Sequence, residues 1–264
     1  MLEILTPEQR CYFIGFMQGD GSMCKNTRNR GRLSCEINFK DVDLLDKFEK
    51  LFNIYLYVGR RERSRVTNFK SITTSIFNIC SKEFRDEINF FIPYGKKSEI
   101  VRPPFLLEDK NAYLRGFLDA DGSLGFTVKN RPFLSFCTKS DYIKEFILND
   151  IKQECGIEKI INRNKRDNIY NIVLYNESAV DYLNVLYQGA TLYLDRKYFK
   201  YLEILKWKRP EDERKRVWVN KKWLEWEDKV VLDENISLSD KCKLLNRTDK
   251  SVNIRIWRLN KHEK

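Results

Sequence analysis

Histidine is almost absent from this chain of 264 residues, since the only one is His262. Histidine-based nucleases, Ser-His-Asp hydrolases and zinc fingers all need a histidine positioned inside the fold, so the sequence excludes these classes. Any metal ion would then have oxygen ligands. This favours Mg²⁺ or another hard divalent cation such as Mn²⁺.

Cysteine pairs and long apolar runs are also missing. The seven cysteines are odd in number and form no C-x-x-C pattern, which argues against a disulfide framework or a zinc site. No apolar run approaches the ~20 residues that a membrane span needs. The first ten residues lack a basic region followed by an apolar stretch. We therefore expect a cytosolic protein of a bacterial, phage or organellar host.

The charge is strongly one-sided: 49 Lys and Arg residues against 38 Asp and Glu residues give a net charge of +11. Such a balance favours a polyanionic partner, with nucleic acid first and a membrane surface second. A basic protein without such a partner is the alternative. The hydrophobic content of 42% is enough for one large domain or two.

Two similar blocks lie 101 residues apart. Residues 12–23 are YFIGFMQGDGSM, and residues 113–126 are YLRGFLDADGSLGF. An alternating strand, a helical pattern, a basic hairpin (58–66 and 161–168), an apolar strand and a further helix follow each block. The repeat predicts an α+β fold of two pseudo-symmetric αββαββα halves, residues 1–103 and 104–207, related as in a dimer.

Several residues mark the expected ends of elements. Thr6 with Gln9 predicts a capping box for the first helix. Ser81 and Asn176 are expected to cap the helices that follow the apolar strands. Gly21 and Gly122 are expected to end the helices of the two blocks, as glycine often does.

Small residues recur four positions apart in both blocks, at Gly15 and Gly19 and again at Gly116 and Ala120. Residues four apart share a helix face, so two such helices can approach closely.

Asp20 and Asp121 follow the small residues at the ends of the two helices. If the helices pair in parallel, the two carboxylates meet at helix C-termini, which disfavour negative charge. A divalent cation would offset the repulsion, and carbonyls of the last turns could add oxygen ligands. The alternative is that both aspartates are plain turn residues.

The segments FIGFMQGDG (13–21) and LRGFLDADG (114–122) resemble the motif of the LAGLIDADG homing endonucleases, in their monomeric form with two motifs. The resemblance covers residues 6–206. The first copy departs from the motif at Gln18, where the second copy has Asp119. This difference concerns the geometry of the helix end more than the metal ligand.

The resemblance implies a metal-dependent site at the ends of the two helices. It assigns the catalytic metal ions to Asp20 and Asp121, with backbone carbonyls from Gly19 and Ala120. It also implies one lysine near each scissile phosphate. The best matches are Lys97 and Lys197, while Lys40 and Lys139 at the strand ends are weaker candidates.

The resemblance further implies two saddle-shaped antiparallel sheets in the DNA major groove, where base pairs are distinguishable. The expected DNA contacts are Arg28, Arg30, Arg32, Lys40, Arg60, Arg61, Arg63, Arg65, Arg131, Lys139, Arg163, Lys165 and Arg166. The alternative for many of them is a solvated strand edge.

The C-terminal part differs in character. Residues 208–222 are predicted to be a basic linker, and residues 223–264 contain three helical patterns that resemble Myb/SANT-like helix-turn-helix modules, with Thr248 as the cap of the last helix. The exposed candidates for the major groove are Lys250, Asn253, Arg255, Arg258 and Lys261. The alternative is a small helical cap packed on the core.

The leading hypothesis is a monomeric, site-specific double-strand DNA endonuclease that promotes intron or gene mobility. The first alternative is a maturase that binds its host intron RNA, because the resemblance covers that role too. The second is a regulator that binds DNA without cutting it. Retention of both Asp20 and Asp121 favours the endonuclease.

Overall fold

A computed structural model describes residues 2–24, 31–66, 71–210 and 223–262. The chain divides into two compact units, Met1–Pro210 and Glu211–Lys264. Arg28, Arg30 and most of the predicted linker lie outside the described residues, as do the side chains of Arg65 and Lys261.

The first unit contains two successive sets of helices and strands. The first set comprises α1 (Pro7–Gly19), β1 (Gly21–Cys24), β2 (Arg32–Asn38), α2 (Val42–Phe52), β3 (Val58–Val66), β4 (Ser71–Ile79) and α3 (Lys82–Ile88). The second comprises α4 (Lys110–Asp121), β5 (Gly122–Phe126), β6 (Pro132–Thr138), α5 (Asp141–Cys155), β7 (Tyr170–Tyr175), α6 (Glu177–Tyr187) and α7 (Asp195–Leu205).

Each set forms its own antiparallel sheet. The strand orders are β1-β2-β4-β3 and β5-β6-β7. One apolar core fills the space between the helices and the inner faces of both sheets, and its largest members include Tyr12, Phe48, Phe77 and Phe136. Among the described residues, no helix is long and apolar enough to cross a membrane.

The local caps are as predicted in two cases of three. Thr6 Oγ1 accepts from the backbone N–H of Gln9 (3.3 Å), and Gln9 Oε1 accepts from that of Thr6 (3.1 Å), so the capping box is confirmed. Ser81 caps α3 through the N–H of Phe84 (3.2 Å). The prediction that Asn176 caps α6 is wrong, because this residue has a φ of 57° and its side chain makes no capping hydrogen bond.

Helices α1 and α4 pack against each other through their glycines. A Cβ on Gly15 would lie 2.1 Å from the carbonyl oxygen of Tyr113, and a Cβ on Gly116 would lie 2.2 Å from that of Tyr12. Both obstacles are helix backbone, which cannot rotate away. The close approach inferred from the small residues is therefore present in the structure.

We expect Gly15→Ala to lower the free energy of unfolding by about 3 kcal/mol, because the added methyl group forces the two helix backbones apart. Urea unfolding measures the change. Gly59→Ala is the matched control, since a Cβ there meets nothing closer than 3.7 Å. Equal stability of the two variants would contradict this packing.

Gly21 and Gly122 lie at the helix ends as predicted, and Gly122 is the C-cap residue of α4. Neither adopts a positive φ, and Gly122 is extended at φ −112°. A Cβ on Gly21 would lie 2.5 Å from the Met17 carbonyl, and one on Gly122 would lie 2.6 Å from that of Leu118. Glycine is required because each strand leaves its helix without an intervening loop, so its first residue touches the last helical turn.

The predicted hairpin of the second half is wrong in its first strand. Residues 156–169 form no strand and contain only a turn, closed by a hydrogen bond from Asn164 N–H to the Ile169 carbonyl (2.8 Å). The Lys159 ammonium donates to the Val173 carbonyl of β7 (2.8 Å). A side chain thus satisfies a strand carbonyl that a neighbouring backbone would otherwise have satisfied.

The second unit contains the three predicted helices, α8 (Glu225–Leu232), α9 (Leu238–Leu245) and α10 (Asp249–His262). Their apolar core is Val231, Leu245 and Val252. Thr248 caps α10 as predicted, by accepting from the Ser251 N–H (3.3 Å).

A buried ion pair stabilises this small core. Glu227 is fully buried and bonds Arg247 through both carboxylate oxygens (3.1 and 2.8 Å). The Arg247 guanidinium lies 3.8 Å from the ring centroid of Trp223. An ammonium from Lys241 donates to the Val231 carbonyl (2.8 Å), so α9 is tied to α8 by a charged hydrogen bond.

Candidate active site and nucleic-acid interface

The two acids of the repeated blocks lie at the meeting point of the helix ends. Asp20 directly follows α1, and Asp121 is the last residue of α4. A Cβ on Gly19 would lie 2.4 Å from Ala120 Cβ and 3.3 Å from Asp121 Oδ2, so the helix ends are in contact. Both aspartates remain accessible to solvent.

Each acid lines a groove that combines both halves. Asp20 shares the first groove with Glu36 and Asn38 of β2 and with Lys197 of the second half. The second groove contains Asp121, the end of β6 with the following Lys139, and Ser98 of the first half. Neither half alone forms a complete groove.

Loss of hydration raises the pKa of both carboxyl groups. The pKa of Asp20 is raised to about 6, chiefly by loss of hydration and then by the negative charge of Asp121, against the opposing effect of Lys197 and Lys97. Loss of hydration also raises the pKa of Asp121, against the same two ammonium groups. The metal-free site therefore disfavours its own ionised form.

We expect Asp20→Asn to stabilise the metal-free protein above pH 6. The raised native pKa means that wild-type stability falls as pH rises from about 4 to about 6 and stays reduced above that range. Because Asp20 is solvent-exposed, screening limits the gain to about 1 kcal/mol. Urea unfolding in EDTA at pH 4 and pH 7.5 measures it. A gain of equal size at both pH values would contradict the assignment.

Two buried lysines lie behind the acids. Lys97 and Lys197 are 7% and 5% exposed, whereas the neighbouring Lys96 is exposed. Lys97 Nζ donates to the carbonyls of Gln18 and Gly19 (2.6 Å for the latter). Burial lowers the pKa of both ammonium groups, and the nearby carboxylates oppose this effect.

The donor set partly fits a hard cation. Among the described residues, no three His, Cys, Asp or Glu side chains form a metal-binding cluster. Two repelling carboxylates with oxygen atoms are present, however, and oxygen is the ligand type that Mg²⁺ prefers. The Gly19 carbonyl, predicted as a ligand, accepts from Lys97 here. Its second lone pair remains for a cation.

The sixth position of each nine-residue motif (13–21 and 114–122) holds a buried polar residue whose role the sequence did not indicate. Gln18 and Asp119 each accept a hydrogen bond from a tyrosine of the opposite helix, Tyr113 (2.6 Å) and Tyr12 (2.7 Å). Spacing was an available signal, because Tyr12 and Gln18 are separated by the same six positions as Tyr113 and Asp119.

The first sheet has one open polar face. Arg32 lies on it with Ser34, Glu36 and Asn38, which alternate with buried residues along β2. Arg61 and Arg63 pair with Ile76 and Thr74 of β4, which pair in turn with Glu36 and Asn38, so both arginines lie on the same face. Arg63 lies 3.6 Å from Glu36. Residues directly opposite in an antiparallel pair share a face, so the arginines form one surface.

Arg60 was predicted as a DNA contact, but it does not lie on this open face. It pairs across the sheet with the fully buried Phe77, so it points to the side covered by helices. There its guanidinium bonds Asp46 (2.9 Å) and Glu49 (3.4 Å) of α2. The alternation of β3 places Arg60 and Arg61 on opposite faces.

The open face of the second sheet differs in charge from that of the first sheet. Its open face carries Phe133, Ser135, Val173 and Tyr175, and no arginine among the described strand residues. Arg131 lies in the turn between β5 and β6.

The turn of residues 156–169 contains the other predicted basic contacts. Lys165 and Arg166 are exposed there, and Arg166 pairs with Asp167 (2.7 Å). Arg163 instead donates to the Lys139 carbonyl (2.9 Å) and Asp141 (3.2 Å), which holds this turn on the end of β6.

The two weaker lysine candidates are not equivalent. The strand register pairs Gly21 with Cys35 and Gly122 with Phe136, so Asn38 is the counterpart of Lys139. Lys40 is exposed and lies two residues beyond, in a short 3₁₀ turn. Only Lys139 lines a groove that contains one of the two acids.

Helix α10 of the second unit exposes most of the predicted contacts. Lys250, Asn253 and Arg258 are exposed, and Trp257 joins them with 62% of its surface accessible. Arg255 is a correction, because its Nε and Nη2 donate to the carboxylate of Asp228 in α8 (2.7 and 2.6 Å). It holds α10 against α8 within the unit.

Comparisons with known proteins agree with this architecture. No family model matches the chain. The intron-encoded RNA maturase bI4 of Saccharomyces cerevisiae is 25% identical over 241 residues, which cover 83% of this chain and 36% of that protein. The chain thus spans about a third of the length of this relative.

Solved structures are similar over a larger share of their length. The homing endonuclease I-WcaI bound to its DNA recognition sequence has a TM-score of 0.54 at 18% identity and covers 75% of this chain and 87% of its own. The I-LtrWI LAGLIDADG homing endonuclease bound to target DNA has a TM-score of 0.43 at 10% identity, with coverage of 78% and 89%. From the likeness to I-WcaI, the chain has the mixed helix and sheet fold, with antiparallel sheets, of the LAGLIDADG homing endonucleases.

Proposed function

We propose that this protein is a site-specific double-strand DNA endonuclease that depends on a divalent metal ion and promotes the mobility of an intron or gene. One observation carries the proposal: Asp20 and Asp121 of the two repeated blocks lie together at the touching ends of α1 and α4. Asp20 shares its groove with Lys197 of the second half, and Asp121 shares its groove with Ser98, which follows Lys97 in the first half. A turn residue would need no such repeated arrangement.

The two grooves supply one cutting centre for each DNA strand. A bound Mg²⁺ or Mn²⁺ ion would polarise the scissile phosphate and lower the pKa of a water molecule. Asp20 and Asp121 would hold it, with the carbonyls of Gly19 and Ala120 as further oxygen donors. Their raised pKa values support this role, because a cation removes the repulsion between the carboxylates.

Lysine and arginine side chains would interact with the negative charge of the DNA. Lys97 and Lys197 would stabilise the negative charge that grows on the phosphate as its bond breaks. Fixed ammonium groups need little reorganisation, and both lysines are held by helix carbonyls. Arg32, Arg61 and Arg63 would contact DNA from the open face of the first sheet, together with Lys139, Lys165 and Arg166.

The second unit would add affinity. The exposed side of α10 combines positive charge at Lys250 and Arg258 with Asn253 and Trp257, a composition suited to a recognition helix in the major groove. We expect Lys250→Ala with Arg258→Ala to weaken DNA binding and to reduce the slope of log affinity against log salt by about two. Lys229→Ala on α8 is the control. An unchanged slope would contradict this role.

A cleavage selection tests the proposed activity. The protein is incubated with a randomised duplex library, and with the sequence flanking its own gene joined without any intron, in Mg²⁺ or in EDTA. Metal-dependent double-strand cuts at one long site would support the endonuclease and identify its target. Tight binding without cuts would favour a regulator that binds DNA without cutting it.

The similarity to a protein named as an RNA maturase favours a second candidate, binding of the host intron RNA. The net charge of +11 suits either nucleic acid. Binding of the intron transcript against a scrambled RNA of equal length tests it, with splicing as the second readout. Equal affinity for both RNAs would reject this candidate.

A further inference from the structure

Two buried polar residues at the ends of α1 and α4 lie beside the acids. Gln18 and Asp119 are 2% and 3% exposed, and they occupy the sixth position of the nine-residue motifs 13–21 and 114–122. A buried polar side chain is costly unless its hydrogen bonds are made, and the partners it chooses therefore indicate what it holds in place.

Gln18 holds both ends of the segment that carries Lys97. Its Nε2 donates to the carbonyls of Phe91 (3.0 Å) and Arg102 (2.9 Å), which lie on either side of the lysine in sequence. Its own backbone carbonyl accepts from Lys97 Nζ. Tyr113 of the opposite helix fixes the amide by donating to its oxygen (2.6 Å).

Asp119 has the corresponding position in the second half. Its Oδ2 accepts from the backbone N–H of Leu194 (2.9 Å), three residues before Lys197, and from the hydroxyl of Tyr12 (2.7 Å). Its Oδ1 accepts from Tyr187 (2.5 Å). Its backbone carbonyl accepts from Lys197 Nζ (2.8 Å).

Gln18 and Asp119 hold the two lysine segments through different hydrogen-bonding chemistry. Gln18 is neutral and donates to two carbonyls, whereas Asp119 is an acceptor with three donors directed at it. Hydrogen bonds to a charged acceptor are shorter and about twice as strong as neutral ones. Lys197 also donates to the Leu118 and Gly122 carbonyls (2.6 and 2.7 Å), so its ammonium has three partners where Lys97 has two.

We propose that Gln18 and Asp119 are positioning residues for Lys97 and Lys197, and that the exchange of carboxylate for amide makes the two halves cut their DNA strands at unequal rates. This inference rests on the proposed endonuclease function. The more tightly anchored Lys197 makes its half the faster one, because a catalytic group that is misplaced by about 1 Å can lose up to about a hundredfold in rate.

Strand-specific cleavage tests the proposal. Each strand of the selected target carries its own fluorophore, and Lys97→Met and Lys197→Met first identify the strand that depends on each lysine. We expect wild type to accumulate DNA nicked in the Lys197-dependent strand. Asp119→Asn should slow that strand about tenfold, and Gln18→Met should slow the other strand about tenfold. In each variant, the cleavage rate of the strand that depends on the other lysine should stay within about twofold of the wild-type rate, as expected for independent sites.

A second readout does not need cleavage. Reductive methylation followed by peptide mass spectrometry measures how exposed each lysine is in the full-length protein without metal. We expect Asp119→Asn to speed the modification of Lys197 alone and Gln18→Met to speed that of Lys97 alone, with Lys96 as the internal control. Equal changes at both lysines, or none, would overturn the positioning role.

The outcomes separate this proposal from the proposed function. One outcome is that wild type cuts no DNA while each variant changes the methylation rate of its own lysine alone. The endonuclease proposal and the unequal strand rates then fail, but the positioning role stands. If wild type cuts but both variants slow the two strands equally and melt at lower temperature, the endonuclease proposal stands and Gln18 and Asp119 are only structural.

Discussion

Replacement of Asp20 or Asp121 by asparagine should lower the cleavage rate about a thousandfold or more. The amide removes the charge that balances a divalent cation but keeps the shape of the side chain, so the fold should persist. Single-turnover cleavage of the selected duplex at saturating enzyme measures the loss. DNA affinity should stay equal or increase, because a negative charge near the phosphates disappears.

The losses of cleavage rate caused by the two aspartate substitutions should not add. Each groove would serve its own strand, but both carboxylates lie at the touching helix ends and would hold the metal ions together. The double variant should therefore be little slower than either single variant, since residues that act as a unit are not additive. Asp86→Asn provides the matched control, because Asp86 is an exposed residue of α3 that pairs with Lys82 (3.5 Å), away from both grooves. Activity within twofold of wild type in Asp20→Asn or Asp121→Asn would contradict the catalytic assignment.

Lys97→Met and Lys197→Met should each slow double-strand cleavage about a hundredfold. Methionine keeps much of the buried volume but removes the ammonium that would stabilise charge on the phosphate. Lys96→Met tests the choice between the adjacent lysines, and its cleavage rate should stay within about twofold of the wild-type rate. Rates are measured well below the melting temperature of each variant, because the helix carbonyls lose their donors. An equal loss in Lys96→Met and Lys97→Met would refute this role for Lys97.

The repeat and its local signals were predictable from the sequence. Gly15 and Gly116 indicated two closely packed helices, and the structure has their backbones in contact. The capping box at Thr6 and the cap at Ser81 depend only on residues three positions away, so local sequence determines them. The alternation of β2 likewise separated Arg32 on the open face from the buried Leu33.

Features that depend on tertiary packing were not predictable. Arg60 and Arg61 are adjacent and identical in type, yet α2 supplies acids to only one of them. Arg255 was indistinguishable from its neighbours until α8 placed Asp228 beside it. Side-chain partners that are distant in the sequence decide which arginines remain available to DNA.

Two glycines show how a correct location can have the wrong reason. Gly21 and Gly122 do end the helices, but by permitting a strand to start against the last turn and not by a left-handed conformation. The distinction needs the φ angle and the distance to the helix carbonyl, which the sequence does not contain. The choice of Lys97 over Lys96 is similar, because only burial separates them.

The central claim is that Asp20 and Asp121 jointly support metal-dependent DNA cleavage. The most direct measurement incubates the selected duplex with wild type in Mg²⁺, wild type in EDTA, and the Asp20→Asn/Asp121→Asn double variant in Mg²⁺, and resolves both labelled strands on a denaturing gel. We predict cuts in both strands for wild type in Mg²⁺ alone, with DNA binding retained by the double variant. Cleavage by that variant, or binding without cleavage by wild type in Mg²⁺, would contradict the claim.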